Sequence, residues 1–249
     1  MSFCLNVLLV IGIIFLLVLI FGLPRKKSER SPNMEGIDSP EVAQAFNRMT
    51  KIPPFKLLYM KIVSQIKKLD PHGTLIDVGC GAGNVIIKIA KKIPELTLNA
   101  VDIAPEILEF AKKRAIENSV EDKINFKIGS VVELPFPDHS IDFLVSTLSL
   151  HHWEDPKIAF KEILRVLKEE GTFLIFDFRR DSRKIYHGFL AFVTKIIAPK
   201  ALKKVREPSG SIQSSYALNE IRHLLTEVGA SDVNINSFLA WMFITNKKK

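Results

Sequence analysis

The chain has 249 residues, of which 47% are hydrophobic and 25% are charged, and its formal net charge is +8. This length accommodates one α/β domain of about 200 residues plus an appendage, and the lack of internal repeats and low-complexity tracts excludes a repeat architecture. The two cysteines, Cys4 in an apolar run and Cys80 in a glycine-rich turn, cannot pair within one domain. They therefore indicate a reducing compartment.

The first segment of the chain is an uncharged apolar run over residues 3–23. Because roughly 20 apolar residues cross a bilayer, the run predicts a transmembrane helix and an anchor over residues 1–23. A cleaved signal peptide is the competing interpretation, but the run lacks the basic start and the small-residue cleavage site of such peptides. Four basic residues follow within residues 25–30. By the positive-inside tendency they predict a single-pass membrane protein whose main domain lies on the cytoplasmic side.

A linker and two helices come next. Residues 24–40 combine prolines and serines with charges, which is typical of a linker, so that the domain proper occupies residues 41–249. Two helical patterns follow, and Pro53 and Pro54 separate them.

The stretch from Thr74 to Asn84, TLIDVGCGAGN, predicts a buried strand that ends in a glycine-rich turn. Its aliphatic residues suit a strand, and Gly79, Gly81 and Gly83 suit a tight turn that opens a helix. A ligand over this turn would meet backbone N–H groups and the positive end of a helix dipole. Asp77 adds a carboxylate, which suits a ligand with a positive group.

A second strand, TLNAVDI, ends at Asp102. A carboxylate at this position can accept hydrogen bonds from both hydroxyl groups of a ribose, in a dinucleotide or in another nucleoside. The dinucleotide motif G-x-G-x-x-G is absent, because the third glycine comes one position early and Asn84 stands where that motif has glycine. The spacing G-x-G-x-G therefore disfavours a dinucleotide.

Three motifs in consistent order carry a resemblance to a known family. The glycine turn resembles motif I of the class I S-adenosylmethionine-dependent methyltransferases. The segments LPFPDHSIDF, residues 134–143, and EILRVLKEEGTFLIFD, residues 162–177, are similar to the methyltransferase type 11 domain. The resemblance covers about residues 74–180 and implies S-adenosylmethionine as the cofactor. It also implies an α/β fold with a doubly wound, Rossmann-like sheet of seven strands in the order 3-2-1-4-5-7-6.

The resemblance further implies a set of cofactor-binding residues and no metal. The candidates are Asp77, Gly79, Cys80, Gly81, Gly83, Asn84, Asp102, Ile103, Gly129, Ser130, Val131 and Thr147. Ser130 departs from the family, which usually has an acid there to contact the adenine amino group. The adenine contact is therefore weaker or is made by the backbone of Val131. Cys80 is interpreted as a small turn residue, because no histidine stands next to it to activate a nucleophile.

A polar and aromatic cluster that includes His151, His152 and Trp153 ends the fourth predicted strand. Ligands lie beyond the carboxyl ends of strands in doubly wound sheets, so this cluster is expected to border the methyl group. A histidine with a near-neutral pKa can take a proton from a hydroxyl acceptor, which makes His151 the candidate catalytic residue. A capping or packing role is the alternative, because methyl transfer chiefly needs in-line positioning.

Residues 179–206 interrupt the alternating strand and helix pattern. They carry nine positive residues against one acid, interspersed with aromatic and aliphatic residues. Such a segment can rest in an anionic membrane interface, so it is a second candidate membrane contact. A solvated basic lid over the pocket is the alternative. Nucleic acid is not an expected partner, because the sequence contains no motif of a nucleic-acid-binding module.

A helix within residues 211–230, two closing strands within residues 232–245 and a tail over residues 247–249 complete the prediction. We expect the chain to transfer a methyl group from S-adenosylmethionine to a small-molecule acceptor by in-line displacement. The predicted tether and a likeness to quinone-biosynthesis methyltransferases make quinone or other lipid precursors the first candidates. The alternatives are a membrane-anchored protein that binds S-adenosylmethionine or a partner without catalysis, and a nicotinamide-dependent oxidoreductase.

Overall fold

The computed structural model describes residues 2–18, 22, 24–32, 39–230 and 232–246. Seven strands in these residues form one sheet. The strands are β1 (Thr74–Val78), β2 (Thr97–Asp102), β3 (Ile124–Ile128), β4 (Ile141–Thr147), β5 (Leu167–Phe178), β6 (Val233–Phe238) and β7 (Trp241–Asn246). Their order is β3-β2-β1-β4-β5-β7-β6, and β7 runs antiparallel to the other six. The predicted strand order is confirmed.

Ten α-helices connect and flank the strands in the described residues. They are α1 (Ser2–Leu17), α2 (Pro40–Met49), α3 (Pro53–Lys68), α4 (Ile86–Lys92), α5 (Pro105–Glu117), α6 (Pro156–Val166), α7 (Lys184–Phe192), α8 (Lys200–Lys204), α9 (Ser209–Ser214) and α10 (Leu218–Glu227). A π-helical turn, Val193–Ile197, continues α7. Four helices begin with proline, because its fixed φ suits the first turn and its missing N–H is not needed there.

The core consists of two apolar layers, one on each face of the sheet. Successive residues of a strand point to opposite faces, and β1 shows this directly. Leu75 packs in the layer that includes Ile62 of α3 and Ile86 of α4. Ile76 packs in the layer that includes Phe160 of α6. Because both faces are covered, the carboxyl ends of the parallel strands remain the accessible edge where a site can form.

The prediction of an N-terminal transmembrane anchor is wrong. α1 has 16 residues and is therefore about 24 Å long, whereas the hydrocarbon core of a bilayer is about 30 Å thick. Among the residues that the structure describes, no helix is long and apolar enough to cross a membrane. The single-pass topology, and the cytoplasmic placement derived from it, are therefore not supported. Residues 19–21 and 23 of the predicted span lie outside the described residues, as do residues 33–38 and 247–249.

Residues 24–32, which we call the strap, lie against the domain. The backbone amide of Lys26 donates to the carbonyl of Ser182 at 2.8 Å, and the amide of Lys184 donates to the carbonyl of Pro24 at 3.0 Å. These bonds join groups that are more than 150 residues apart along the chain. The part of the predicted linker that the structure describes is thus held at the start of α7.

α6 ends at Val166, because Leu167 already pairs with Ile141 of the neighbouring strand. One predicted helix differs from the structure. The last predicted helix, residues 211–230, is divided into α9 and α10. The second of these begins after Ala217, whose backbone amide donates to the carboxylate of Glu220 at 2.7 Å. A carboxylate that accepts this bond defines a helix start.

Candidate active site

The glycine turn between β1 and α4 needs glycine at each of its three positions. Gly79, Gly81 and Gly83 have φ angles of +69°, +53° and +72°, a region that residues with a Cβ rarely adopt. A Cβ on Gly79 would lie 2.4 Å from the hydroxyl oxygen of Ser149. A Cβ on Gly81 would meet nothing within 4 Å, so Gly81 presents open backbone to a ligand.

Asp102 at the end of β2 is fixed by the turn that it faces. Its carboxylate accepts hydrogen bonds from the backbone amides of Gly81 at 2.8 Å and Ala104 at 3.1 Å. The side chain is buried, and burial raises its pKa above the ordinary value, against the opposite effect of these amides. The carboxylate is thereby held at the edge of the site, where further acceptor capacity can receive ribose hydroxyls.

Asp77 lies beneath the glycine turn and is fully buried. Neither of its oxygens has a hydrogen bond of ordinary geometry in the described residues, and the nearby amide of Ile86 offsets burial only in part. Burial first, and then the charge of Asp102, raise the pKa of Asp77 to about 7. Asp77 is not part of the cavity wall, and its contact with the cofactor stays a prediction.

A polar network joins the glycine turn to α3 and α5. The guanidinium of Arg114 donates to the carbonyl of Ala82 at 2.6 Å and to the side-chain oxygen of Asn84 at 2.7 Å. Tyr59 forms a side-chain hydrogen bond with Asn84, and its burial raises its pKa well above the ordinary value. Sequence reasoning missed Arg114 and Tyr59, because nothing in the spacing of α3 and α5 distinguishes them from other polar residues of those helices.

The site opens into a cavity of about 520 Å³, which lies within the usual range for small-molecule sites. Most of the predicted residues line it: Gly79, Cys80, Gly81, Asn84, Asp102, Ile103, Gly129, Ser130, Val131, Thr147 and His151. Gly83 is outside the wall, and a Cβ there would stand 3.1 Å from Ile87 and 3.4 Å from Ala111 of α5. This glycine therefore allows close helix packing below the site.

Two segments from outside the sheet close the cavity. Phe46 of α2, Phe55 of α3 and Leu202 of α8 line it and belong to one apolar cluster. α2 and α8 also pack against each other through one apolar cluster, which contains Met49 and Leu202. Residues 41–60 and 183–212 thus both contribute to the wall.

Glu207 is a cavity residue that the sequence did not indicate. It is 2% exposed, and its carboxylate accepts a hydrogen bond from the hydroxyl of Ser211, which also lines the cavity. Glu207 is a single acid after a basic segment, and neither a periodic pattern nor a motif in the sequence predicts that it lines a cavity. Its position depends on how the segment folds back over the sheet.

His151 and Asp177 form a buried ion-pair geometry at the carboxyl ends of β4 and β5. The ring nitrogen Nδ1 of His151 lies 2.7 Å from Oδ1 of Asp177, and the backbone amide of His151 donates to Oδ2 at 2.9 Å. The backbone amide of Phe178 also donates to Oδ1 of this carboxylate, at 2.6 Å. The side chains of both members of the pair are almost fully buried, at 2% and 0% exposure. The sequence places both residues at strand ends, but their pairing requires adjacent strands.

The ring of His152 packs against the ring of His151, with centroids 3.9 Å apart and ring planes inclined by 50°. Burial and then the neighbouring His151 lower the pKa of His152 to about 3, so the ring is neutral near pH 7. Trp153 donates its indole N–H to the hydroxyl of Ser149 at 3.1 Å, which connects this turn to the residue that faces Gly79. The turn is thus fixed on both sides of His151.

Comparisons with known proteins agree with this geometry. A family model described as a methyltransferase domain matches residues 76–175. The ubiquinone/menaquinone biosynthesis C-methyltransferase UbiE of Rickettsia felis is 30% identical over 207 residues, which are 78% of this chain and 83% of that protein. UbiE of Rickettsia bellii is 27% identical over 228 residues, which are 86% and 91% of the two chains.

A solved structure supports the fold. The crystal structure of a proposed S-adenosyl-L-methionine-dependent methyltransferase from Methanococcus maripaludis superposes with a TM-score of 0.64 at 23% identity and covers 90% of this chain and 98% of that one.

Fold, site and relatives together define an S-adenosylmethionine-dependent methyltransferase. The chain belongs to the methyltransferase family of these C-methyltransferase relatives. Its cofactor is S-adenosylmethionine, and it transfers a methyl group to a small-molecule acceptor. The nicotinamide-dependent oxidoreductase and the binding protein without catalysis are thereby set aside.

Proposed function

We propose that the acceptor is a lipophilic ring compound with a hydroxyl group, of the quinol type, and that His151 is the base that takes its proton. The observation that carries this proposal is the buried pair of His151 and Asp177 in the wall of the cavity. The quinol class is supported by the relatives, whose names place them in ubiquinone and menaquinone biosynthesis.

The residues of the glycine turn and β2 fit S-adenosylmethionine. Gly79 and Gly81 keep side-chain atoms away from the backbone that faces the ligand, and Asp102 offers two acceptor oxygens for ribose hydroxyls. Gly129, Ser130 and Val131 line the cavity beyond Asp102 and are the proposed edge for the adenine. When bound, this cofactor supplies an electrophilic methyl group on a sulfonium.

The remaining chemistry belongs to His151 and Asp177. A carboxylate can only accept, so Nδ1 of His151 carries the hydrogen and Nε2 has the lone pair. The proton of the acceptor hydroxyl moves to Nε2, and the electron pair of the O–H bond stays on oxygen. Conjugation shares this pair with the neighbouring ring carbon, which becomes nucleophilic. Asp177 stabilises the resulting imidazolium, which is why its burial beside the ring favours a base role.

The cavity wall suits a lipophilic acceptor. Phe46, Phe55 and Leu202 enclose it, and apolar walls exclude water from the reacting groups. We also propose that the acceptor comes from a lipid phase. The support is that residues 179–206, the sequence-based candidate for a membrane contact, contain the cavity residue Leu202.

The base role predicts a selective loss of turnover. In His151→Gln, kcat with a short-chain, water-soluble quinol should fall by roughly 10²- to 10⁴-fold, because the proton acceptor is gone. The dissociation constant for S-adenosylmethionine should stay within about threefold, because the glycine turn and Asp102 are unchanged. S-adenosylhomocysteine production and titration calorimetry measure the two quantities. His223→Gln, which alters a histidine that is 78% exposed, is the matched control.

The outcomes separate the parts of the proposal. If His151→Gln keeps kcat within about threefold, the histidine only packs, and the base role is lost. If wild-type protein binds S-adenosylmethionine but methylates no quinol, the acceptor class is wrong while the cofactor site stands.

A further inference from the structure

α7 and the π-helical turn after it expose four large apolar side chains. Phe189, Phe192, Ile196 and Ile197 are 60%, 53%, 64% and 61% exposed. Their spacing places them along one side of a helical segment, and we call them the apolar stripe. Single exposed apolar residues are normal on protein surfaces, whereas four on one face of one element indicate a contact surface.

The surface around the apolar stripe carries positive charge. Lys195 lies inside the stripe, and Lys200, Lys203 and Lys204 of α8 follow it, all of them exposed. No acidic residue occurs between residues 182 and 206. The stripe is therefore bordered by cations without intervening acids.

Two of the nine basic residues of segment 179–206 are buried and do not contribute to this surface. Arg179 and Arg180 are each 4% exposed, and they pair with Asp181 and Glu220. The idea of a uniformly solvated basic lid is therefore wrong for the start of the segment. The exposed positive charge of the segment therefore lies within residues 184–206, which also contain the stripe.

We propose that the apolar stripe and the lysines of α8 dock on the surface of an anionic lipid bilayer, with α7 parallel to the membrane plane. Phenylalanine and isoleucine side chains then enter the boundary between headgroups and acyl chains, as in interfacial helices. The lysine ammonium groups reach the anionic headgroups, which attract basic residues near the surface. This contact is peripheral and needs no spanning helix.

Charge is the reason to prefer a lipid surface to a protein partner. Four of the five exposed cations between residues 195 and 206 are lysines, and the fifth is Arg206. Lysine is a flexible point charge that suits a diffuse anionic surface, whereas specific protein interfaces favour arginine and are depleted in lysine. α8 contributes Leu202 to the cavity, so docking would bring a wall of the cavity to the membrane. Delivery of an acceptor from the membrane to the cavity rests on the proposed function, whereas binding of the stripe to the membrane does not.

The test is binding of the full chain to vesicles in the absence of any acceptor. Sedimentation with vesicles of phosphatidylcholine plus about one third phosphatidylglycerol is compared with pure phosphatidylcholine vesicles. The stripe variant combines Phe189→Ser, Phe192→Ser, Ile196→Ser and Ile197→Ser. The control variant combines four serine substitutions at apolar residues of similar exposure elsewhere, Leu57, Ile116, Ile128 and Ile158. The full chain keeps α1 the same in every sample.

The wild type and the control variant should bind anionic vesicles equally, and the stripe variant should bind at least about tenfold more weakly. Each of Lys200→Gln, Lys203→Gln and Lys204→Gln should weaken binding by roughly fivefold, on anionic vesicles only. Equal binding of the stripe and control variants overturns the proposal. So does a stripe variant that changes only self-association in analytical ultracentrifugation, which would assign the stripe to a second copy of the chain. Because S-adenosylmethionine binding and quinol turnover are measured without vesicles, a wrong acceptor leaves this result intact.

Discussion

The fold buries the carboxyl group of Asp77 close to the carboxylate of Asp102. Its pKa of about 7 lies well above the ordinary value of 3.8 because burial and Asp102 disfavour the ionised form. A group whose pKa is raised in the folded state binds more protons there than in the unfolded chain. The folded protein without its cofactor therefore loses stability as the pH rises from about 4 to about 7, and the loss is complete above that window.

This linkage predicts that Asp77→Asn stabilises the cofactor-free protein at high pH. The amide has nearly the same shape and no charge, so the free energy of unfolding should exceed that of the wild type by up to about 4 kcal/mol at pH 8. The difference should shrink as the pH falls toward 4. Urea unfolding at several pH values measures it, with the exposed Asp122→Asn as control. If Asp77→Asn is no more stable than the wild type at pH 8, the ionised carboxylate of Asp77 does not destabilise the folded protein, and the prediction is wrong.

At the scale of elements, the site depends on how α5 holds the turn between β1 and α4. A turn with three glycines at positive φ has high conformational freedom in the unfolded chain. Arg114 opposes this freedom in the folded state by its two hydrogen bonds to Ala82 and Asn84. The arginine is not in the cavity wall, so it acts on ligand binding by positioning the turn.

We expect Arg114→Ala to weaken binding of S-adenosylmethionine by about tenfold and to lower the free energy of unfolding by about 1–3 kcal/mol. The loss leaves the carbonyl of Ala82 and the side-chain oxygen of Asn84 without their hydrogen-bond donor from α5. Lys113→Ala, an exposed change on the same helix, is the control for altered helix propensity and charge. Titration calorimetry and urea unfolding give both numbers. If Arg114→Ala is less stable but binds S-adenosylmethionine with unchanged affinity, Arg114 stabilises the fold and does not position the turn for the ligand.

At the scale of the whole molecule, Arg180 joins three parts of the chain. Its guanidinium donates to the carbonyl of Ser28 in the strap, to the carbonyl of Ser215 between α9 and α10, and to the carboxylate of Glu220 in α10. A planar group with five N–H donors suits such a junction. The strap reaches the active site through a second arginine, Arg30, which donates to the backbone carbonyl of His151 at 3.1 Å.

Arg180→Ala should lower the free energy of unfolding by about 2 kcal/mol, because it removes one partner of a largely buried junction. We place the loss below that of a fully buried pair, since the side chain of Glu220 is 41% exposed and water can solvate it. Arg222→Ala, on the exposed face of α10, should change stability by less than about 0.5 kcal/mol. Denaturant unfolding compares the two variants. Equal small losses would mean that the strap and α10 are held by other contacts.

Part of this architecture followed from local patterns. The strand and glycine turn from Thr74 to Asn84, the acid that ends β2 and the strand order were predicted correctly, because each depends on short-range periodicity or on motifs of the family. The N-terminal run was predicted incorrectly as a span. An uncharged apolar stretch indicates burial or a helix, but it does not fix the length of that helix, and no helix in the described part of the chain is long and apolar enough to cross a membrane.

The class of fold, the cofactor and the position of the glycine turn could be read from the amino-acid sequence, because these depend on residues that are close along the chain. The pairing of His151 with Asp177, the place of Glu207 in the cavity and the burial of Arg180 among the strap and α10 became visible with the folded chain. Each of these arrangements joins distant segments through side-chain groups that must be satisfied once they are buried. No local pattern encodes such a partner, since its identity depends on which segments the fold brings together.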